Sequence, residues 1–168
     1  VQASAIGLDK IRTKALLRAA GLPVAAERVA TANSDWAAFA AELGLPLVLK
    51  TPASGSSVGV EVVATEAALA ERGAALVAEA GRVLVEQFVA GREFTLPVVE
   101  TAAGVAEAFP VVAIRPKDAA FFDYQAKYTP GATDEICPAP ITPELEIELR
   151  RLGAVSYTHL RAHETVLD

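Results

Sequence analysis

Residues 45–64 read LPLVLKTPASGSSVGVEVVA, and this stretch decides the fold. Leu45 to Lys50 is a short apolar run that ends on a cation. The proline inside it places its start at a sheet edge. Thr51 to Gly59 forms a Gly/Ser loop, and Val60 to Ala64 reads as the strand that follows, so the whole is a strand–loop–strand hairpin. Backbone N–H groups in a loop such as Gly55-Ser56-Ser57-Val58-Gly59 approach phosphate oxygens without side-chain obstruction. Lys50 adds a point charge beside them. The stretch is not a P-loop, because no Gly-x-x-x-x-Gly-Lys-Ser/Thr is present. The plain alternative is a Gly/Ser hairpin tip with a surface lysine.

Outward from this hairpin the patterns alternate between helical and extended. On the N-terminal side, Asp9 to Ala20 reads as a helix stopped by Gly21 and Pro23. Val24 to Val29 is strand-like. A second helix, capped by Ser34 or Asp35, runs to Leu43 and ends at Gly44. On the C-terminal side, Thr65 caps a helix from Glu66 to about Ala80, and Val83 to Val89 is a strand. Phe94 to Val99 and Val105 to Ile114 read as further strands. Residues 115–140 form a long polar, Pro-containing loop of a kind that is usually functional or disordered. Thr142 or Pro143 opens a helix through Leu152. The layout is α/β of the α+β type, with hairpins instead of strict βαβ alternation.

Bulk properties exclude several classes. The 168 residues carry a net charge of −6, against the basic face a nucleic-acid binder needs. The single cysteine, Cys137, allows no internal disulfide and fits a reducing compartment, so the cytoplasm is expected. No apolar run approaches a membrane span. The chain starts at Val1 and contains no Met, and it is therefore expected to be a piece of a longer protein. Residues 155–168 change composition abruptly. They hold both histidines and resemble translated adaptor read-through, so they are expected to be foreign and to take no part in function. His159 and His163 lie four apart with Glu164 adjacent, but the order is not His-Glu-x-x-His and no third ligand is evident. Cys137 has no credible His partner and reads as structural.

Three further groups carry chemistry. Lys10 and Lys14, four apart after Asp9, share one helix face. In Val83 to Glu93, Glu86 ends an apolar strand, where it can read a base edge, and Glu93 follows a glycine turn, where it can accept from ribose hydroxyls. Phe121 to Tyr128 mixes aromatic and charged residues inside the long loop, which suits a lid that needs apolar anchors and a cation. Each alone also reads as a solvated face, a hairpin or a surface loop.

Taken in order, these motifs resemble the D-alanine–D-alanine ligase family of the ATP-grasp superfamily from about Ala5 to Gly153. The matching runs are Asp9-Lys10 with Lys14, Gly21-Leu22-Pro23, Leu45 to Lys50, Gly55 to Gly59, Val85 to Phe88, Gly91 to Thr95, Phe122-Asp123-Tyr124 with Lys127-Tyr128, and Cys137-Pro138-Ala139. The Gly-Ser-Ser-Val-Gly loop and the Asp-Tyr-x-Ala-Lys-Tyr lid carry the specificity. Thr51 departs from the pattern, since the family usually has proline directly after the lysine.

The resemblance implies an incomplete ATP-grasp fold: a central subdomain over 1–90, then the start of a C-terminal subdomain over 91–154 with a lid at 115–137. It implies that Lys10 and Lys50 hold the α- and β-phosphates of ATP and that the Ser56–Ser57 loop folds over them. Ser56 would bond to Tyr128, Lys127 would reach the γ-phosphate, Glu86 and the backbone near Val89 would read adenine, and Glu93 would bind the ribose. The implied activity of the parent is ATP-dependent joining of two D-alanines through an acyl phosphate, for peptidoglycan precursors. Mg²⁺ (or Mn²⁺) would be required, with its ligands outside this chain, so the chain alone is expected to be inactive. A homodimeric parent, no nucleic-acid partner and no membrane partner are expected. The alternatives are another ATP-grasp carboxylate–amine ligase, a D-alanine–D-lactate type ligase, or a non-catalytic ATP-binding module. The test set by the sequence is whether Lys10, Lys50, Glu86 and Glu93 converge on one nucleotide-sized cleft.

Overall fold

A computed structural model describes residues 2–53, 59–117 and 129–161. The chain divides into two compact units, one comprising Ser4–Arg18 with Pro23–Ala90, the other Val1–Ala3, Ala19–Leu22 and Gly91–Asp168.

The first unit is built on four antiparallel strands in the order β1-β4-β2-β3: β1 is Glu27–Ala30, β2 Leu47–Lys50, β3 Val60–Val63 and β4 Val83–Gln87. The 45–50 run is therefore an inner strand, with neighbours on both sides, and not an edge. Pro46 precedes the first strand residue, so its missing N–H costs the ladder nothing, and its carbonyl still accepts from the Phe88 N–H at 3.2 Å. The hairpin of β2 and β3 pairs Leu47 with Val63 and Lys50 with Val60.

Period-two alternation gives this sheet two unlike faces. Leu47 and Leu49 of β2, Val83 and Val85 of β4, Val63 of β3 and Ala30 of β1 point into a core closed by Ala40, Leu43, Leu69, Leu76 and Val77. Those last side chains come from α3 (Trp36–Leu43) and α4 (Glu66–Ala80). Both helices start where the sequence indicates. Asp35 accepts from the Ala38 N–H at 3.1 Å, and Thr65 accepts from the Ala68 N–H at 3.2 Å. Gly44 and Gly81 end them, each donating its N–H back into the last turn. The helices meet where Trp36 lies over Gly73: a Cβ there would sit 2.5 Å from the indole, so only glycine allows this approach. Phe39 packs edge-on to Trp36, with centroids 6.0 Å apart. Two more helices precede β1: α1 (Gln2–Leu8) and α2 (Lys10–Ala19).

The second unit holds a three-stranded antiparallel sheet, β5-β8-β9, and a two-stranded ribbon, β6-β7. The strands are β5 Glu93–Thr95, β6 Val98–Glu100, β7 Ala106–Ala108, β8 Val112–Pro116 and β9 Thr133–Ile136. The two long strands expected from sequence are each divided, at Leu96-Pro97 and at Phe109-Pro110. Proline has no N–H for a ladder, so the chain changes sheet at both points. Strand β9 falls within the stretch 115–140 that the sequence indicated as loop, and it pairs Ile136 with Ala113 and Thr133 with Pro116. Val111, Ala113 and Ala139 form the small core here, with Phe94, Leu96, Ile136, Ile141 and Leu149 around them.

Helix α5 runs from Pro143 to Arg161, beyond the Leu152 end that the sequence suggested. Gly153 does not stop it, because that glycine is a packing site: a Cβ there would lie 2.3 Å from Leu96 Cδ2. Within the same unit Arg150 donates to the Ala108 carbonyl at 2.6 Å, and Tyr157 donates to Glu100 at 3.3 Å.

Candidate nucleotide site

The sheet face turned away from α3 and α4 carries the charges. Alternation places Glu27 of β1, Val48 and Lys50 of β2, and Leu84 and Glu86 of β4 on that face, with Glu27 opposite Glu86 and Glu86 opposite Val48. Glu86 is 5% exposed and is the single buried charged residue among those described. A carboxylate this deep requires cations.

Helix α2 supplies one, Lys14, and β2 supplies the other, Lys50. Lys10, Lys14 and Arg18 recur at a spacing of four and form one stripe along the helix. Lys14 donates to Glu86 Oε1 at 2.6 Å and to the Ala25 carbonyl at 3.0 Å, and it pairs with Glu27 Oε2 at 2.5 Å. That last contact is an ion pair without hydrogen-bond alignment, since Glu27 Oε2 has no aligned donor among the described residues. Arg18 holds the other oxygen of Glu27 at 2.6 Å. Lys50, from the end of β2, makes an ion pair with Glu86 Oε2. Burial would raise the Glu27 carboxyl, but the close cations of Lys14 and Arg18 outweigh it and hold Glu27 below its ordinary value.

Lys10 seals the N-terminal end of the stripe. Its N–H donates to the Pro52 carbonyl at 3.0 Å and its ammonium to the Thr51 carbonyl at 3.1 Å, so α2 is tied to the chain just past Lys50. Asp9 caps α2 by accepting from the Ile11 and Arg12 N–H groups at 3.0 and 3.2 Å, and Arg82 holds its second oxygen. The Lys10 ammonium lies below its ordinary pKa, first through burial and then through repulsion from Lys50, with Glu86 and Asp9 opposing. Lysines gathered at the cost of mutual repulsion are what a polyanion would relieve.

The base of the Gly/Ser loop is closed by backbone. The Thr51 N–H donates to the Gly59 carbonyl at 3.2 Å. Gly59 has φ +68°, and a Cβ there would be 2.6 Å from Thr51 Oγ1. Thr51 thus provides an N–H that a proline at this position would lack.

Of the residues singled out in the sequence, Lys10, Lys50 and Glu86 come together in the first unit. Val89 follows β4 and is strongly exposed. Glu93 opens β5 in the second unit and is exposed. Ser56, Ser57, Lys127 and Tyr128 lie outside the described residues, as does most of the lid. Lys14 was legible only as a neighbour of Lys10 on a shared helix face, and its central place was not. Glu27 carried no signal, because its partnership depends on the pairing of β1 with β4.

Among the described residues no group of three or more His, Cys, Asp and Glu side chains is placed to hold a metal ion. Cys137 is an exposed free thiol. The His159 ring contacts its own helix at the Val155 carbonyl, 2.8 Å away, while His163 lies outside the described residues.

An antiparallel sheet backed by two helices, with a lysine-ended hairpin and a lysine-gripped carboxylate, is the ATP-grasp arrangement, and the solved structures agree. The chain resembles the D-alanine–D-alanine ligase of Bacillus anthracis at 27% identity and TM-score 0.75, covering 95% of this chain and 51% of that one. It also resembles an N5-carboxyaminoimidazole ribonucleotide synthetase solved as its ADP complex, at 26% identity and TM-score 0.75, covering 95% and 40%. The sequence model described as D-ala D-ala ligase C-terminus matches residues 4–166, and the chain belongs to that family. Among curated relatives, the D-alanine–D-alanine ligase of Laribacter hongkongensis is 42% identical over 160 residues, which is 95% of this chain and 50% of the relative. The chain thus spans about half the length of the relatives it matches.

Proposed function

We propose that the protein to which this chain contributes joins two D-alanine molecules in an ATP-dependent reaction that releases ADP and phosphate, in the cytoplasm and for peptidoglycan precursor synthesis. The observation that carries this reading is the gathering of Lys10, Lys14 and Lys50 around buried Glu86 at the base of the Gly/Ser hairpin. A nucleoside triphosphate matches it, with a polyanion for the lysines and a base edge for the carboxylate. In this reading Lys10 and Lys50 hold the α- and β-phosphates. Glu86 and the backbone near Val89 read adenine, and Glu93 binds the ribose. The roles of Ser56 and Ser57 over the phosphates, of Tyr128 bonded to Ser56 and of Lys127 at the γ-phosphate rest on the sequence resemblance.

The chemistry is coherent. A carboxylate is a poor electrophile, because an amine cannot displace oxide from it. Transfer of the γ-phosphoryl group to a D-alanine carboxylate oxygen releases ADP and forms an acyl phosphate. The amine of the second D-alanine then attacks the carbonyl carbon and phosphate departs. The protein's part in the first step is positioning and neutralisation of charge. Exclusion of water protects the acyl phosphate. Mg²⁺ or Mn²⁺ would add Lewis-acid neutralisation of the phosphates. The described residues offer no ligand cluster for it, and in this reading its ligands lie outside the chain.

The parent is expected to be a homodimer with no nucleic-acid partner, in line with the net charge of −6. No described helix is long and apolar enough to cross a membrane. The decisive experiment is a coupled assay of ADP release. The intact parent should turn over with D-alanine as both substrates and far less with D-lactate in the second position. The 168-residue chain should show a raised melting temperature with ATP and no turnover. A chain whose melt ignores ATP overturns the nucleotide assignment, and D-lactate preference moves the parent to the depsipeptide-forming class.

A further inference from the structure

The sheet register sets two carboxylates side by side. Glu27 of β1 is the cross-strand partner of Glu86 of β4, on the face away from the helical layer. Like charges directly opposite repel. Lys14 lies between them, 2.5 Å from Glu27 Oε2 and 2.6 Å from Glu86 Oε1, with the Ala25 carbonyl at 3.0 Å as a third oxygen. Its ammonium thus bonds two oxygens and pairs electrostatically with a third. Lys50 takes the other oxygen of Glu86, Oε2. The two lysines differ in access: the Lys50 side chain is 29% exposed and that of Lys14 is 13% exposed. Lys50 also ends the strand that leads into the Gly/Ser loop, whereas Lys14 is anchored on three sides.

We propose that Lys14 is a positioning residue that allows Lys50 to change partners: Lys50 leaves Glu86 Oε2 for an entering phosphate, and Lys14 stays on Glu86 Oε1. A buried carboxylate stripped of its only cation is strongly unfavourable. Without Lys14, Glu86 would retain Lys50, and a phosphate would have to compete with a buried ion pair. With Lys14 in place the exchange leaves every charge partnered. This inference rests on the nucleotide reading above and adds the residue that makes its phosphate-binding lysine available.

Inorganic tripolyphosphate is the sharpest probe, because it has no base for Glu86 to contact. Calorimetric titration of the full 168-residue chain with tripolyphosphate and with ATP is the measurement. Lys14→Met should weaken tripolyphosphate binding about tenfold, the loss expected for one charge-assisted bond. Lys14→Gln, which retains a side-chain amide donor, should show a similar loss and serves if the methionine variant does not fold. Lys14→Arg should recover most of the affinity. The discriminating variant is Glu86→Gln. In that background Lys50 has no carboxylate to leave behind, Glu27 keeps Arg18, and adding Lys14→Met should cost tripolyphosphate binding little. An unchanged affinity in Lys14→Met, or an equal loss with and without Glu86, overturns the proposal. Wild-type chain that binds neither probe overturns the nucleotide reading itself, and this inference falls with it.

Discussion

The two faces of the four-stranded sheet are made by the same strands and obey opposite rules. On one, Leu47, Leu49, Val83 and Val85 meet α3 and α4 and form a dry core. On the other, one residue along each strand, Glu27, Lys50 and Glu86 meet the lysine stripe of α2. The apolar face gains from every methylene it buries. The charged face gathers like charges whose repulsion is only partly offset, and it leaves the Lys50 side chain partly exposed. Stability comes from the first face, and the proposed binding of a polyanion falls to the second.

That contrast can be broken at graded points. The largest stability loss should follow Leu49→Ala, which empties a fully buried site in the dry face and should cost about 2–5 kcal/mol in denaturant unfolding. Gly73→Val should come next, because the added side chain must displace Trp36. Overpacking of this kind costs about 1–3 kcal/mol, read from the same unfolding curves. Gly59→Ala should cost about 1–2 kcal/mol through the left-handed backbone, and it should also weaken ATP binding by forcing Thr51 away from the loop base.

On the charged face the effect is smaller and depends on pH. The folded Glu27 carboxyl is held low, so its stabilisation is fully present above the unfolded value of about 4.3 and is lost as pH falls through the folded value. Glu27→Gln should therefore flatten the acid limb of a stability-against-pH curve below about pH 4.3 and leave its slope near neutrality unaltered. Smallest of all should be Glu148→Gln, which removes an exposed i,i+3 pair with Arg151 and should leave the unfolding midpoint unchanged.

Local chemistry was readable in the amino-acid order. Thr65 before an apolar helical run, Gly44 and Gly81 after such runs, and the hairpin around Gly59 announce themselves, because a cap or a turn is decided by a few adjacent residues. The prolines at 97 and 110 are visible too, but that each divides a strand depends on the sheets they join, and strands β6 and β7 separate from their neighbours at those points. Strand β9 escaped notice because a short polar run becomes a strand only when β8 is beside it.

By itself the sequence determined most of the element types, the caps of α3 and α4 and the motif order of the family, and it singled out Lys10, Lys50 and Glu86. Only the tertiary structure decided that Glu27 faces Glu86, that Lys14 sits between them, and that Lys50 shares its carboxylate. The reason is physical: a helix cap depends on neighbours a few bonds away, whereas the partner of a strand residue depends on register between segments far apart in the chain. A slip of one residue would turn Glu27 to the other face.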